Sequence, residues 1–258
     1  MLVEQTLFSD VDKVEIAVER LKMFEPPEGY FVAFSGGKDS TVILDLVRQS
    51  GVKHDTHYNL TTVDPPELVY HIREHYPDVI VDRPATTMWE LIEKEGVPPT
   101  RLMRYCCEYL KEGGGDYRKV VTGVRWAESS KRKKRQLVEP CLRGRTKHFV
   151  HPIIDWSDTE VWEYIRSRSL PYCSLYDEGW TRIGCIGCPM GGEKGMTREF
   201  ERYPKFRAAY LRAFDRMLRE RERRGLETKL WDTPEDVMQW WIYGPAHQED
   251  PDQGVLFE

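Results

Sequence analysis

No stretch of this chain is apolar for long enough to span a membrane, and its first residues, MLVEQTLFSD, lack the basic-then-apolar order of a secretion signal. A cytoplasmic protein with no membrane contact is the expectation. No internal repeat is present. Neither sign of charge dominates: 38 Lys and Arg against 43 Asp and Glu leave −5, a balance that speaks only for solubility. Cysteine is sparse, six residues in 258. In a reducing cytoplasm these are expected as thiols, metal ligands or reactive groups rather than structural disulfides.

What is present begins with residues 31–48, FVAFSGGKDSTVILDLVR: a short apolar run, a Ser-Gly-Gly turn, then a helix-period segment. A strand whose glycines run straight into a helix leaves backbone N–H groups and the positive helix end aimed at one point, an anion site. Gly36 and Gly37 let backbone approach a phosphate, Ser35 and Ser40 offer hydroxyls, Lys38 a point charge, and Asp39 a carboxylate able to carry Mg2+. The alternative is a plain strand-to-helix turn with its cap. A Walker A loop is excluded, because the spacing to the lysine is wrong and no Ser or Thr follows it.

The rest of the chain alternates. Residues 14–24 have helical spacing; strands are expected at 54–59, 78–83, 119–124 and 148–153, with helices near 66–75, 87–95, 101–112 and 157–168. This order implies an α/β fold, a mostly parallel twisted sheet with helices on both faces and its ligand at the carboxyl ends of the strands. A long charged helix is expected from about 197 to 224, and the segment TPED at 233–236 opens another. The expected organisation is a helical segment at 1–27, a nucleotide-binding domain with the cysteines at 28–192, a helical C-terminal region at 193–245 and a flexible tail at 246–258.

Four cysteines form a second constellation: the adjacent Cys106 and Cys107, then, after 77 intervening residues, the Cys185–Cys188 pair in GCIGCP. Thiolates of a CxxC turn converge on one centre, and two such pairs make a four-thiolate site. An iron–sulfur cluster, zinc and plain buried or redox thiols all stay open. Cys141 and Cys173 have no such pairing; Cys173 reads as a persulfide carrier or as a small buried hydrophobe. Asp64 and Glu67, in 59–67 (NLTTVDPPE), read as ligands of a ribose or metal, or as an Asp-Pro turn and a first-turn helix acid.

The SGGKDS loop resembles that of the PP-loop ATP pyrophosphatases, the superfamily of tRNA thiolases, asparagine and GMP synthetases, and sulfonucleotide reductases. Within it, the chain resembles the PAPS and APS reductase-like family over about residues 28–190, through the segment 59–67, TGVRWAES at 122–129, HPIIDWSDTEVWEYI at 151–165 and the block ending DEGWTRIGCIGC. The resemblance implies that Ser35, Gly36, Gly37, Lys38, Asp39, Ser40, Asp64 and Arg125 bind an adenine nucleotide, ATP or APS/PAPS, with Arg125 facing the phosphates as a planar fork of donors. Lys38, Asp39 and Arg125 would be catalytic. It also implies a 4Fe-4S cluster on Cys106, Cys107, Cys185 and Cys188, with zinc as the alternative.

One departure shapes the expected reaction. The reductases use a cysteine in a C-terminal ECGxH-type motif as nucleophile, and this chain shows no cysteine after Cys188. The reading is therefore cleavage of ATP to AMP and pyrophosphate to activate an acceptor for sulfur transfer, with a cysteine desulfurase or other thiol donor as partner. Reduction of APS or PAPS to sulfite is the alternative, and a non-catalytic nucleotide-binding module with a structural metal site is another. Lys119, Arg125, Lys131, Arg132, Lys133, Lys134, Arg135, Arg143, Arg145 and Lys147 suit a nucleic-acid acceptor or, equally, a solvated loop beside nucleotide phosphates. The ending Gln253–Phe257 resembles the QxxLF peptides that dock on sliding clamps.

Overall fold

The computed structural model describes residues 2–5, 10–141, 146–226 and 230–244. Its elements, in chain order, are β1 (Val3–Gln5), β2 (Asp10–Asp12), α1 (Lys13–Met23), β3 (Tyr30–Ala33), α2 (Lys38–Ser50), β4 (His54–Asn59), α3 (Pro66–His75), β5 (Ile80–Asp82), α4 (Met88–Glu95), α5 (Tyr105–Leu110), β6 (Lys119–Val121), β7 (Val138–Pro140), β8 (His148–Val150), α6 (Asp158–Ser167), α7 (Gly192–Arg202), α8 (Pro204–Arg223) and α9 (Pro234–Tyr243). Six strands form one sheet in the order β5-β4-β3-β6-β8-β7, parallel except for β7, which runs antiparallel at the edge. The α/β class and the mostly parallel sheet expected from the alternating pattern are present. The β1–β2 pair and the three-residue β7 are additions that short strands without clear alternation do not announce.

The helix expected from 197 to 224 is two helices. Pro204 has no N–H to continue the ladder, and Tyr203 before it sits at φ −122°, ψ 65°, outside the helical region. α5 is also shorter than the pattern over 101–112 suggested.

The chain forms two compact units that interleave. The first comprises residues 1–60, 65–83 and 113–183; the second comprises 61–64, 84–112 and 184–258. The boundaries drawn from sequence were linear, with both cysteine pairs inside 28–192. Instead the segments carrying the cysteines join α4, α7, α8 and α9 around a separate apolar core that includes Leu91, Ile92, Tyr210, Phe214 and Trp241. No helix among the described residues is long and apolar enough to cross a membrane.

In the first unit, Tyr30 and Val32 of β3 point to the same side as Tyr58 of β4, and α1, α2, α3 and α6 bring their buried residues to that side. Their apolar stripes, Leu21, Ile43, Leu46, Leu68, Ile72 and Ile165 among them, fix the height of each helix against the strands. The chain crosses from β3 to β4 on one side and later returns to β6 on the other. The loops after β3 and β6 therefore leave neighbouring strands at a point where the strand order reverses, the place where open α/β sheets hold ligands.

Candidate functional site

The loop after β3 has the geometry the glycines foretold. Gly36 sits at φ 70°, and a Cβ there would fall 2.7 Å from Ile72 Cδ1 and 2.8 Å from Leu68 Cδ1. Ser40 Oγ donates to Gly37 O (2.9 Å), accepts from Ser35 N–H (3.2 Å) and lies 3.1 Å from Ser35 Oγ, so the two hydroxyls hold the turn closed. Gly37, the N-cap of α2, has no side chain to satisfy the first turn. One of those donors is met from far along the chain: Lys38 N–H donates to Tyr176 Oη at 2.9 Å.

Behind the loop lies a four-member charge network. Arg125 follows β6, is 1% exposed, and donates from Nε to Asp39 Oδ1 (2.7 Å), from one terminal nitrogen to Trp156 O (3.1 Å) and from the other to Asp158 Oδ1 (3.0 Å). Lys38 Nζ completes it, 3.2 Å from Asp158 Oδ1 and 3.4 Å from Asp39 Oδ2. Burial pushes the Asp158 carboxyl up, and Lys38 and Arg125 together outweigh it, so the group ends below its ordinary range. Gly123 allows this convergence: a Cβ there would sit 2.9 Å from Asp39 Cβ and 3.0 Å from Asp39 backbone. Thr122 Oγ1 lies 2.7 Å from His151 Nδ1, tying β6 to the chain after β8. Arg125 thus organises Asp39 and Asp158 from inside.

In the second unit the four cysteines come from two segments. Cys106 and Cys107 sit in the short α5; Cys185 and Cys188 flank a turn pinned by Ile186 N–H to Val63 O (2.8 Å), Tyr210 Oη–H to Ile186 O (2.8 Å) and Gly187 N–H to Glu199 Oε2 (2.6 Å). Gly187, at φ 75°, packs its backbone on an aromatic floor: a Cβ would meet Phe200 at 2.8 Å and Trp241 at 3.0 Å. Cys185 Sγ donates to Thr61 Oγ1 at 3.3 Å. Cys106 shares a hydrogen bond with Cys107 and is held up further by Cys185 and Cys188 nearby.

The electrostatics of the adjacent pair are split. The shared hydrogen bond and burial hold the Cys106 thiol high, whereas the bond from Cys106, helped by Arg104 at 3.3 Å, draws Cys107 below the usual thiol range. Lys111 pairs with Cys185, whose charge holds the lysine up. Burial raises Cys185 itself. All described cysteines are free thiols. Among the described residues no three His, Cys, Asp or Glu side chains stand arranged around a single metal position.

Other residues named from sequence fall out differently. Asp64 belongs to the second unit, is buried, and closes the 61–64 turn by accepting Thr61 N–H (2.6 Å). This is the geometry of the Asp-Pro turn. Glu67 is in the first turn of α3. Cys173 is fully buried among Phe34, Leu44 and Leu175, and burial raises its thiol: the small-hydrophobe alternative. Of the basic stretch, Lys119 and Lys147 donate to Phe24 O and Gly114 O, both at 2.9 Å; Arg132 pairs with Glu128, and Arg135 with Glu139. Lys131, Lys133 and Lys134 are exposed, whereas Arg143, Arg145 and the tail 246–258 with Gln253–Phe257 lie outside the described residues. Sequence reasoning missed Asp158 and Tyr176. Asp158 was hidden inside SDTE, where Ser157 and Glu160 form a capping box and account for the motif as a helix start.

The fold and the loop define an α/β domain with a mostly parallel sheet and a glycine turn where its strand order reverses. Residues 29–190 match the phosphoadenosine phosphosulfate reductase domain, and the chain belongs to that family. It is 30% identical over 182 residues to an adenosine 5'-phosphosulfate reductase of Bacillus anthracis, covering 65% of this chain and 79% of that one. It is 34% identical over 185 residues to an uncharacterized protein of Methanocaldococcus jannaschii, covering 67% of this chain and 44% of that one. The chain thus spans less than half the length of that relative. Among solved structures, the phosphate complex of a phosphoadenylyl-sulfate (PAPS) reductase from Candida auris aligns with TM-score 0.50 at 20% identity, covering 68% of this chain and 88% of that one, which shows a shared fold.

Proposed function

We propose that this protein is an enzyme of the sulfonucleotide reductase type that binds the phosphates of an adenine nucleotide at Ser35–Ser40 and holds a tetrathiolate centre on Cys106, Cys107, Cys185 and Cys188. The observation that carries the sulfur chemistry is that four free thiols drawn from two distant segments fall in one unit, with an Arg104 terminal nitrogen 3.3 Å from Cys107 Sγ. A 4Fe-4S cluster is the preferred occupant and zinc the alternative; when bound, either stabilises sulfur in its anionic form.

The reaction preferred is cleavage of ATP. An acceptor oxygen attacks the α-phosphorus, the bond to the β-phosphate oxygen breaks and pyrophosphate leaves. The outer sulfur of a persulfide held by a partner such as a cysteine desulfurase then attacks the acceptor carbon, the carbon–oxygen bond breaks and AMP leaves, and a second thiol cleaves the resulting disulfide to leave the sulfur on the acceptor. The loop N–H groups and Lys38 would neutralise charge that grows on the leaving pyrophosphate. Asp39, set by Arg125, would hold a Mg2+, which would supply positive charge at the nucleotide's phosphates. Lys131, Lys133 and Lys134 support a nucleic-acid acceptor.

Reduction of APS or PAPS to sulfite is the second reading, favoured by the likeness to the Bacillus anthracis reductase. It requires a nucleophilic thiol outside the four, and Cys173 is sealed in the core. Protein purified without oxygen, assayed for iron, acid-labile sulfide and zinc and then incubated with ATP, APS or PAPS, separates these. Iron and sulfide with pyrophosphate from ATP supports the proposal. Sulfite from APS or PAPS replaces it with reduction, and zinc without turnover replaces it with a binding module.

A further inference from the structure

The first turn of α2 receives its cap from outside the loop. Gly37 offers no side chain, and Lys38 N–H is taken by Tyr176 Oη, 138 positions along the chain. A phenol oxygen accepts through its lone pairs and donates through one proton. Here the lone pair is used by the helix, and the proton has no acceptor among the described residues. The same oxygen crowds the glycine turn: a Cβ on Gly37 would stand 3.5 Å from Tyr176 Oη and 3.5 Å from Ser35 Oγ, so the two hydroxyls flank one patch of bare backbone.

The ring is not free to leave. It packs edge-on against Trp162, with centroids 5.0 Å apart and planes at 84°, and lies 6.4 Å from Tyr172, whose own hydroxyl donates to Asp177 at 3.0 Å. Its backbone sits in a tight turn, Tyr176 N–H to Cys173 O at 3.1 Å and Trp180 N–H to Leu175 O at 3.1 Å, anchored by the buried Cys173 and Leu175. Burial also raises the phenol above its ordinary range, so it carries its proton at neutral pH. An oxygen fixed beside a helix N-terminus, charged with one unspent proton, is a donor oriented before any ligand arrives.

We propose that Tyr176 is a phosphate-binding residue of the site, relaying the α2 N-terminal N–H of Lys38 through its hydroxyl to an oxygen of the bound nucleotide's phosphates. The assignment rests on the nucleotide reading of the Ser35–Ser40 loop. It goes beyond that reading by placing a donor from the segment after α6 on the anion and by excluding the opposite role, in which Tyr176 blocks the helix end and must swing away. A bond to a charged oxygen is among the stronger kinds, and losing it corresponds to about a tenfold or greater weakening.

The test measures binding of inorganic pyrophosphate, ATP with Mg2+, and adenosine to the full chain and to Tyr176→Phe, with Tyr172→Phe as the control that alters the aromatic group and keeps the hydroxyl on the loop. The expected result is about tenfold weaker binding of pyrophosphate and ATP by Tyr176→Phe, with adenosine affinity and thermal midpoint unchanged and Tyr172→Phe like the parent. Equal or tighter binding of pyrophosphate by Tyr176→Phe overturns the relay. An equal loss for adenosine, or the same loss in Tyr172→Phe, assigns the effect to packing and also overturns it. If the parent binds neither pyrophosphate nor ATP, the nucleotide reading itself fails and the relay with it.

Discussion

The loop of the first unit and the thiol group of the second each draw polar side chains from distant segments, by opposite means. Around Lys38, charge answers charge: two cations and two carboxylates interlock, with the guanidinium of Arg125 out of solvent and Asp158 reaching it. Around the cysteines the support is apolar, an aromatic floor of Phe200, Tyr210 and Trp241 beneath a glycine turn, with Arg104 and Lys111 as the flanking cations. A network of paired charges is broken by removing one partner, because the others are then left desolvated and unmatched. A site seated on packed rings is broken by adding atoms, because close-packed aromatics have nowhere to go.

The sharpest way to break the comparison is to remove a charge from the first and a ligand from the second. Arg125→Ala strands Asp39 and Asp158; a loss of about 3–5 kcal/mol is typical of a fully buried pair, and solvent access to Asp158 brings the expected value toward the lower end. Nucleotide turnover should fall at least a hundredfold while metal content stays at the parent's level. Arg125→Lys should recover little, since a point charge cannot reach Asp39, Asp158 and Trp156 O together. Iron loss in either variant contradicts the separation of roles. Cys185→Ser is the mirror experiment: bound iron and sulfide should fall severalfold or more while pyrophosphate affinity holds. Unchanged metal in that variant removes Cys185 from the ligand set.

How much of each site could be read from sequence follows the same division. The loop was legible because strand, glycine turn and helix are contiguous, and local physics of φ, hydroxyl reach and helix dipole settles their geometry. Its organiser was legible only in part. Arg125 stood out in TGVRWAES, but its inward direction depends on Gly123 admitting Asp39 and on Asp158 arriving from the chain after β8, contacts that no local pattern encodes. The cysteines were legible as a set through their spacing. Their floor was not, because Phe200, Tyr210 and Trp241 read simply as helix-period apolar residues. The two-unit division was hidden for a related reason: residues 61–64 and 84–112 leave the sheet's sequence order to pack with the C-terminal helices, and periodicity reports that a face is apolar without saying which core it enters.

Two glycines sharpen the contrast at smaller amplitude. Gly187→Ala places a methyl against Phe200 and Trp241 at a φ of 75°, and a destabilisation of about 1–3 kcal/mol is expected, with metal content reduced and pyrophosphate binding unchanged. Gly123→Ala presses on Asp39 backbone with no strained φ of its own; about 1–3 kcal/mol is again expected, now with weakened nucleotide binding and intact metal. Denaturant unfolding with metal and pyrophosphate titrations checks both. Identical effects on the two ligands would show that the sites are not independently supported.

The smallest effect probes the charge-paired style away from the loop. Arg20 forks onto Asp155, 2.9 Å to Oδ1 and 2.8 Å to Oδ2, while also donating to Pro152 O at 2.8 Å. Burial pushes the Asp155 carboxyl up, and the fork more than offsets it, leaving the group below the ordinary carboxylate range. A folded-state value below the unfolded one means that the pair contributes stability above the unfolded value, and that this contribution drains away as pH falls through the folded one. Both side chains retain some solvent, so a contribution of about 1 kcal/mol is expected. Urea unfolding of the parent and of Arg20→Ala should therefore differ by about that amount at neutral pH and begin to converge as pH falls below about 4. A gap that does not narrow at all as pH falls below about 4 would mean that Arg20 stabilises the fold by packing and its bond to Pro152 O rather than through the carboxylate.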